Sequence, residues 1–88
     1  MGYKVQIIEL AALEVAKFDK TVQKRIYSFL QKLELVDNPR DLLIPYTANL
    51  AGFWKKRIGD YRIICRIDDK KIIVEVIKVG HRSKIYKK

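Results

Sequence analysis

The chain has 88 residues, 49% of them hydrophobic, with a formal net charge of +9 and a pI of about 9.8. That gives one domain over residues 1–88 with a small core, and the basic balance favours a polyanion as partner, either nucleic acid or an acidic protein. A single cysteine, Cys65, excludes an intramolecular disulfide, and no apolar run reaches the roughly 20 residues of a membrane span, so the expected setting is a reducing cytoplasm without a membrane partner.

Residues 3–8 alternate imperfectly and are rich in β-branched side chains, which predicts a first strand. Residues 10–17, rich in Ala and Leu, predict a short helix that ends near Phe18. Asp19 or Thr21 can cap a second helix. Val22, Ile26, Phe29, Leu30 and Leu33 lie along one face of it, and Asp37-Asn38-Pro39 closes it. Residues 40–51 have no clean period, contain Pro45 and read as a loop. Residues 52–66 read as two strands joined at Gly59-Asp60, a two-residue loop with Gly first, as in a type II′ turn. A polar turn at Asp68-Asp69-Lys70-Lys71 leads into a strongly β-branched strand over residues 72–79. The predicted fold is α+β in the order β-α-α-β-β-β. Its helical hairpin covers one face of a mainly antiparallel four-stranded sheet.

In the predicted hairpin Ile58 pairs with Tyr61 and Arg57 with Arg62, so Lys55, Arg57 and Arg62 share a face. Like charges placed directly opposite each other cost stability, which points to a bound anion. The plain alternative is a polar face with both guanidinium groups in water. Pairing Ile67 with Ile72 makes Cys65 meet Val74 and Ile63 meet Val76, an apolar face for the helices to cover. The other face then carries Arg62, Ile64 and Arg66 beside Ile73, Glu75 and Ile77, half apolar and half charged like a cleft. Its arginines are expected to be exposed. Trp54 and Cys65 are assigned to the core, and Glu75 is read as a counter-ion for Arg62 or Arg66.

The chain has no P-loop, dinucleotide-binding glycine pattern or Ser-His-Asp arrangement, and one His with one Cys does not make a metal site. No metal or cofactor is expected. What remains is phosphate chemistry by cations. Lys55, Arg57, Arg62, Arg66 and Arg82 can hold phosphate oxygens, arginine bidentately, and can stabilise charge developing on a scissile phosphodiester. His81 is the one side chain that ordinarily titrates near neutrality. It reads either as a general acid or base or as a locally packed strand end. Tyr86 can stack on an unpaired base or close the core.

Residues 49–64, Asn-Leu-Ala-Gly-Phe-Trp-Lys-Lys-Arg-Ile-Gly-Asp-Tyr-Arg-Ile-Ile, resemble the central signature of the RelE/ParE superfamily of toxins from toxin–antitoxin systems. Residues 79–86, Val-Gly-His-Arg-Ser-Lys-Ile-Tyr, resemble its closing signature. The resemblance implies a small RelE-like fold and the toxin of a type II system. For the RelE-like branch it implies an mRNA interferase, a ribosome-dependent endoribonuclease that inhibits translation. There a 2′-hydroxyl attacks the neighbouring phosphate, leaving a cyclic phosphate and a free 5′-hydroxyl, without a metal.

Carried onto this sequence, the resemblance gives Arg62 the pentacoordinate phosphate and Arg82 the phosphate and leaving oxygen. It gives Tyr86 the stacking and orienting of the substrate and adds Arg57 to the catalytic set. Lys55, Arg66, His81 and Lys84 are the expected RNA contacts. The implied partners are a cognate acidic antitoxin, the ribosome and mRNA. ParE-like members share the fold but poison DNA gyrase and cut no RNA; Arg62, Arg82 and Tyr86 together favour the RelE-like branch. Strict alternation from Ile77 brings His81 to the Arg62 face, whereas the resemblance asks for Arg82 there. A bulge at Gly80 would reconcile the two.

Overall fold

Two helices pack on one face of a mixed sheet in the computed structural model, which describes residues 2–81. The order is β1 (Lys4–Ile7), α1 (Glu9–Val15), α2 (Lys20–Leu35), β2 (Ile44–Pro45), β3 (Phe53–Ile58), β4 (Tyr61–Asp68) and β5 (Ile73–His81). The apolar stripe of α2 faces inward, with Ile26, Phe29, Leu30 and Leu33 buried. Asp19 takes the N-cap position of α2, but its side chain makes no capping bond. Gln23 instead ties the two helices together, its Nε2 donating to the Phe18 carbonyl at 2.9 Å and the Ala16 carbonyl at 3.3 Å.

Ala11 and Val15 of α1 join that stripe, and from the sheet Ile58, Ile63, Cys65, Val74, Val76 and Val79 complete the core. Trp54 packs against its margin. Ile26, Val15, Ile63, Val74 and Val76 are almost wholly removed from water. Truncating such a side chain to Ala typically costs about 2–5 kcal/mol for Ile or Leu. No helix among the described residues is long and apolar enough to cross a membrane.

The sheet runs β1-β5-β4-β3-β2, with β1 parallel to β5 and the other pairs antiparallel. β2 is a fifth strand inside the stretch expected to be a loop; two residues, one of them Pro, carry no alternation to read. Short 3-10 turns at Pro39–Leu42 and Ala48–Leu50 flank it. On the open edge of β1, the Val5 N–H donates to Glu34 Oε2 at 2.9 Å, which satisfies a donor that no strand pairs.

The β3–β4 hairpin has the expected register, and Gly59 sits at φ +57 in its loop. The β4–β5 register differs from the expected one. Ile67 faces Val74, Cys65 faces Val76 and Ile63 faces Val79. The cause is the turn: Asp68 Oδ1 accepts from the Lys70 and Lys71 N–H groups, both at 3.1 Å. That winds Ile72 out of the ladder to φ +56, where it is exposed. A second irregularity between Ile64 and Cys65 leaves Ile77 without a ladder partner. The bulge is thus at Ile77, not Gly80. It lets Val74, Val76 and Val79 all face the core while Glu75, Lys78 and Gly80 face away.

Candidate nucleic-acid interface

The face away from the helices is laid out in rows across the strands. Arg57, Arg62 and Gly80 form the row nearest the hairpin tip, followed by Ile44, Lys55, Ile64 and Lys78. Phe53, Arg66, Glu75 and Gln6 come next, and Asp68, Ile73 and Lys4 form the last row. Charge is graded along this face. In the far rows Arg66 Nη2 lies 2.8 Å from Glu75 Oε1, and Lys4 shares its row with Asp68. Among the described residues, the two rows near the tip hold the cations Arg57, Arg62, Lys55 and Lys78 and no carboxylate. Such a one-signed end concentrates potential and attracts anions.

Hairpin geometry places Arg57 against Arg62 closely. In a two-residue hairpin the pair flanking the loop exchanges hydrogen bonds, and the next pair does not; its Cα atoms lie about 4.5 Å apart rather than about 5.5 Å. Arg57 is exposed, but Arg62 keeps only 8% of its surface in water. Full solvation therefore does not describe this pair, and the expectation of exposed arginines fails at Arg62. The facing residue on β5 is Gly80, which adds no side chain beside Arg62. Ile64 is also buried on this face, between Lys55 and Lys78, whose methylene stems flank it. Lys55 itself lies over an aromatic ring, with Nζ 4.9 Å from the Tyr46 ring centre.

The expected site residues separate into four groups. Lys55, Arg57 and Arg62 are brought together at the cationic end. Arg66 lies on the same face but farther down and is paired with Glu75, the counter-ion expected for it. His81 does not join the Arg62 face. It lies opposite Tyr61, edge-on to that ring at 5.5 Å, and Tyr61 in turn packs on Phe18 at 4.6 Å. The Ile77 bulge is the reason, because it reverses the side-chain direction that strict alternation assigns. Arg82, Lys84 and Tyr86 lie outside the described residues. Lys78 is the residue that sequence reasoning missed. Strict alternation assigns it to the core, and a lysine at a core position was the available sign that the strand changes phase.

Among the described residues the site offers cations and no nucleophile. An arginine can stabilise nearby negative charge but is not suited to act as a base, which limits what Arg57 and Arg62 can do chemically. Burial pushes the Cys65 thiol up to about 12, which leaves it inert at neutral pH. Among the described residues no group of three or more His, Cys, Asp or Glu comes together to hold a metal ion. A separate polar cluster occupies the opposite end of the sheet. Arg40 grips Asp69 through Nη1 at 3.1 Å and Nη2 at 2.8 Å, the Tyr3 hydroxyl donates to Asp69 Oδ1 at 2.5 Å, and Arg40 also lies 5.5 Å from the Trp54 ring centre.

Comparison with known proteins agrees with this architecture. The family described as the ParE toxin of the type II toxin–antitoxin system parDE matches residues 5–86. Toxin RelG of Mycobacterium tuberculosis is 30% identical over the whole of both chains. Toxin RelE of the same organism is 32% identical over 97% of this chain and 87% of its own length. The toxin–antitoxin complex RelBE2 of M. tuberculosis contains a chain that superposes with a TM-score of 0.82 at 27% identity, covering 94% of each chain. The archaeal RelE–RelB complex of Pyrococcus horikoshii gives a TM-score of 0.74 at 25% identity, over 96% of this chain and 99% of that one. The chain belongs to the RelE/ParE superfamily of type II toxin–antitoxin toxins.

Proposed function

We propose that this toxin is a RelE-like, ribosome-dependent mRNA endoribonuclease. The observation that carries the reading is Arg62, buried and directly opposite Arg57 at the end of the open face where the described strand rows carry only cations as charged residues. In the proposed reaction the 2′-hydroxyl gives its proton to water as its oxygen bonds to the adjacent phosphorus, and the bond to the 5′-oxygen breaks as that oxygen takes a proton from water, leaving a cyclic phosphate and a 5′-hydroxyl. Arg62 and Arg57 take up the negative charge that grows on the phosphoryl oxygens, a contribution worth about a hundredfold or more per donor. Arg82 serves the leaving oxygen and Tyr86 orients the substrate, both assigned by resemblance to the family's closing signature. Lys55 and Lys78 hold flanking phosphates as point charges.

The proposed protein partner is a cognate acidic antitoxin. RelBE2 of M. tuberculosis and RelE–RelB of P. horikoshii are both toxin–antitoxin complexes, and the +9 net charge of this chain favours an acidic mate. The test is primer extension on mRNA during translation. Cuts positioned on codons that vanish when ribosomes are withheld support the reading. Intact transcripts in growth-arrested cells refute it. A gyrase supercoiling assay run beside it identifies the ParE-like alternative, in which supercoiling is lost and RNA is spared.

A further inference from the structure

Lys55 does not project freely from β3. Its Nζ lies 4.9 Å from the Tyr46 ring centre, inside the range of a cation–π contact. Tyr46 follows β2 directly and donates its N–H to the Phe53 carbonyl at 2.9 Å, while Pro45 faces Trp54. Tyr46 therefore occupies the position opposite Phe53 and diagonal to Lys55 on the same face, the separation at which an aromatic ring meets a long side chain. β2 has only two residues, both exposed, so what it brings to this face is chiefly the residue after it. The Tyr46 hydroxyl is buried and makes no hydrogen bond. A buried phenol oxygen that bonds to nothing costs stability relative to Phe, so the useful part of Tyr46 is its ring.

Repulsion alone would drive Lys55 into solvent, because Arg57 lies two residues along its strand, Arg62 sits diagonally across the ladder and Lys78 shares its row beyond Ile64. The electron-rich ring face holds the ammonium down and leans it away from Arg57, towards the Phe53 row. Successive rows stand about 7 Å apart, two residues along a strand, which is comparable with the step between neighbouring phosphates on a nucleic-acid chain. We propose that Tyr46 is a positioning residue that fixes the Lys55 ammonium one row from the Arg57–Arg62 pair, forming a subsite for the RNA phosphate next to the scissile one. The subsite rests on the endoribonuclease reading; the contact between Lys55 and Tyr46 does not.

A phosphate away from the bond being cut is held equally in ground and transition states, so losing its grip weakens binding and spares the maximal rate. Cleavage on programmed ribosomes, measured against toxin concentration, should show Tyr46→Leu raising the half-saturating concentration about three- to tenfold with the maximal rate kept. Tyr46→Phe should match wild type. In a Lys55→Ala background Tyr46→Leu should add nothing. Carbon–proton NMR of the full chain should show the Lys55 ε-methylene shifted upfield by the ring in wild type and Tyr46→Phe, and at its ordinary position in Tyr46→Leu.

The inference is overturned if Tyr46→Leu cleaves like wild type, if it costs as much without Lys55, or if the wild-type ε-methylene is unshifted. That last measurement needs no variant, so a Tyr46→Leu chain that fails to fold does not shield the proposal. A wild-type chain that cuts no RNA overturns the nuclease reading and the subsite with it. That result is distinct from one in which wild type cuts and Tyr46→Leu cuts alike.

Discussion

Arg57 and Arg62 face each other directly across the β3–β4 ladder, one exposed and the other buried. Two guanidinium groups in a close cross-strand pair destabilise the free hairpin. An anion bridging them would offset that repulsion, since each arginine offers a planar fork of donors to phosphate oxygens.

Arg62→Ala should therefore slow single-turnover cleavage on ribosomes by about a hundredfold or more, the scale of a lost electrostatic donor. Arg57→Ala should also slow it, and the double variant should fall short of the summed effects if both act on one phosphate. Because Arg62 is buried, its stem contributes packing as well as charge. Arg62→Met should accordingly melt above Arg62→Ala while cutting no faster. Wild-type rates in both single variants would remove this pair from the site.

Lys78 should act on affinity rather than on chemistry. It shares a row with Lys55, across the buried Ile64. Lys78→Ala should weaken binding to mRNA-programmed ribosomes and reduce the slope of log affinity against log salt by about one. An unchanged slope would mean that Lys78 meets no phosphate.

Ile72 is a stability defect at the mouth of β5. A β-branched residue at φ +56 is strained, and its side chain is largely exposed, so little packing offsets the strain. Ile72→Gly should stabilise the chain by about 1 kcal/mol, read as a higher denaturation midpoint with unchanged slope. A lower midpoint would show that Ile72 contributes contacts outweighing its backbone strain.

The Tyr3–Asp69–Arg40 cluster should give the stability curve two limbs. The Asp69 hydrogen bond raises the Tyr3 hydroxyl above its ordinary 10.0. Its contribution is therefore complete below about pH 10 and lost as pH climbs through the raised value. Arg40, then Tyr3, holds the Asp69 carboxyl below its ordinary 3.8, so that contribution is present above about pH 4 and lost as pH falls through the lowered value. The stability gap between wild type and Tyr3→Phe should close on the alkaline side, and the gap to Asp69→Asn on the acid side. Both gaps should be small, because the groups are exposed. A gap independent of pH would assign the effect to packing.

Local chemistry made much of this fold legible. The β3–β4 register followed from Gly59-Asp60, because a two-residue loop leaves no freedom in pairing. The α2 stripe followed from helical spacing. Non-local pairing was harder to read. The Asp68 side chain winds the β4–β5 turn and moves the partners of Cys65 to Asp68 along by two, which leaves those residues on their expected faces and so changes no hydrophobic pattern. The Ile77 irregularity does change faces, and it removed His81 from the expected site and added Lys78. β2 could not be read because its two residues are held by β3 and not by any periodicity of their own.

Ile77 also bears on how the length of β5 can vary. The residues on either side of it already alternate correctly: Val76 inward, Lys78 outward, Val79 inward, Gly80 outward. A chain with that single codon deleted would keep every remaining β5 side chain on its present face and every ladder partner in place. It would lose only the local twist that a bulge adds, and with it the direction in which the strand carries its last residues, Gly80 and His81, along β4. The surplus residue thus aims the strand's end without being needed to hold the sheet together, and a one-residue deletion here should re-aim that end while sparing the core.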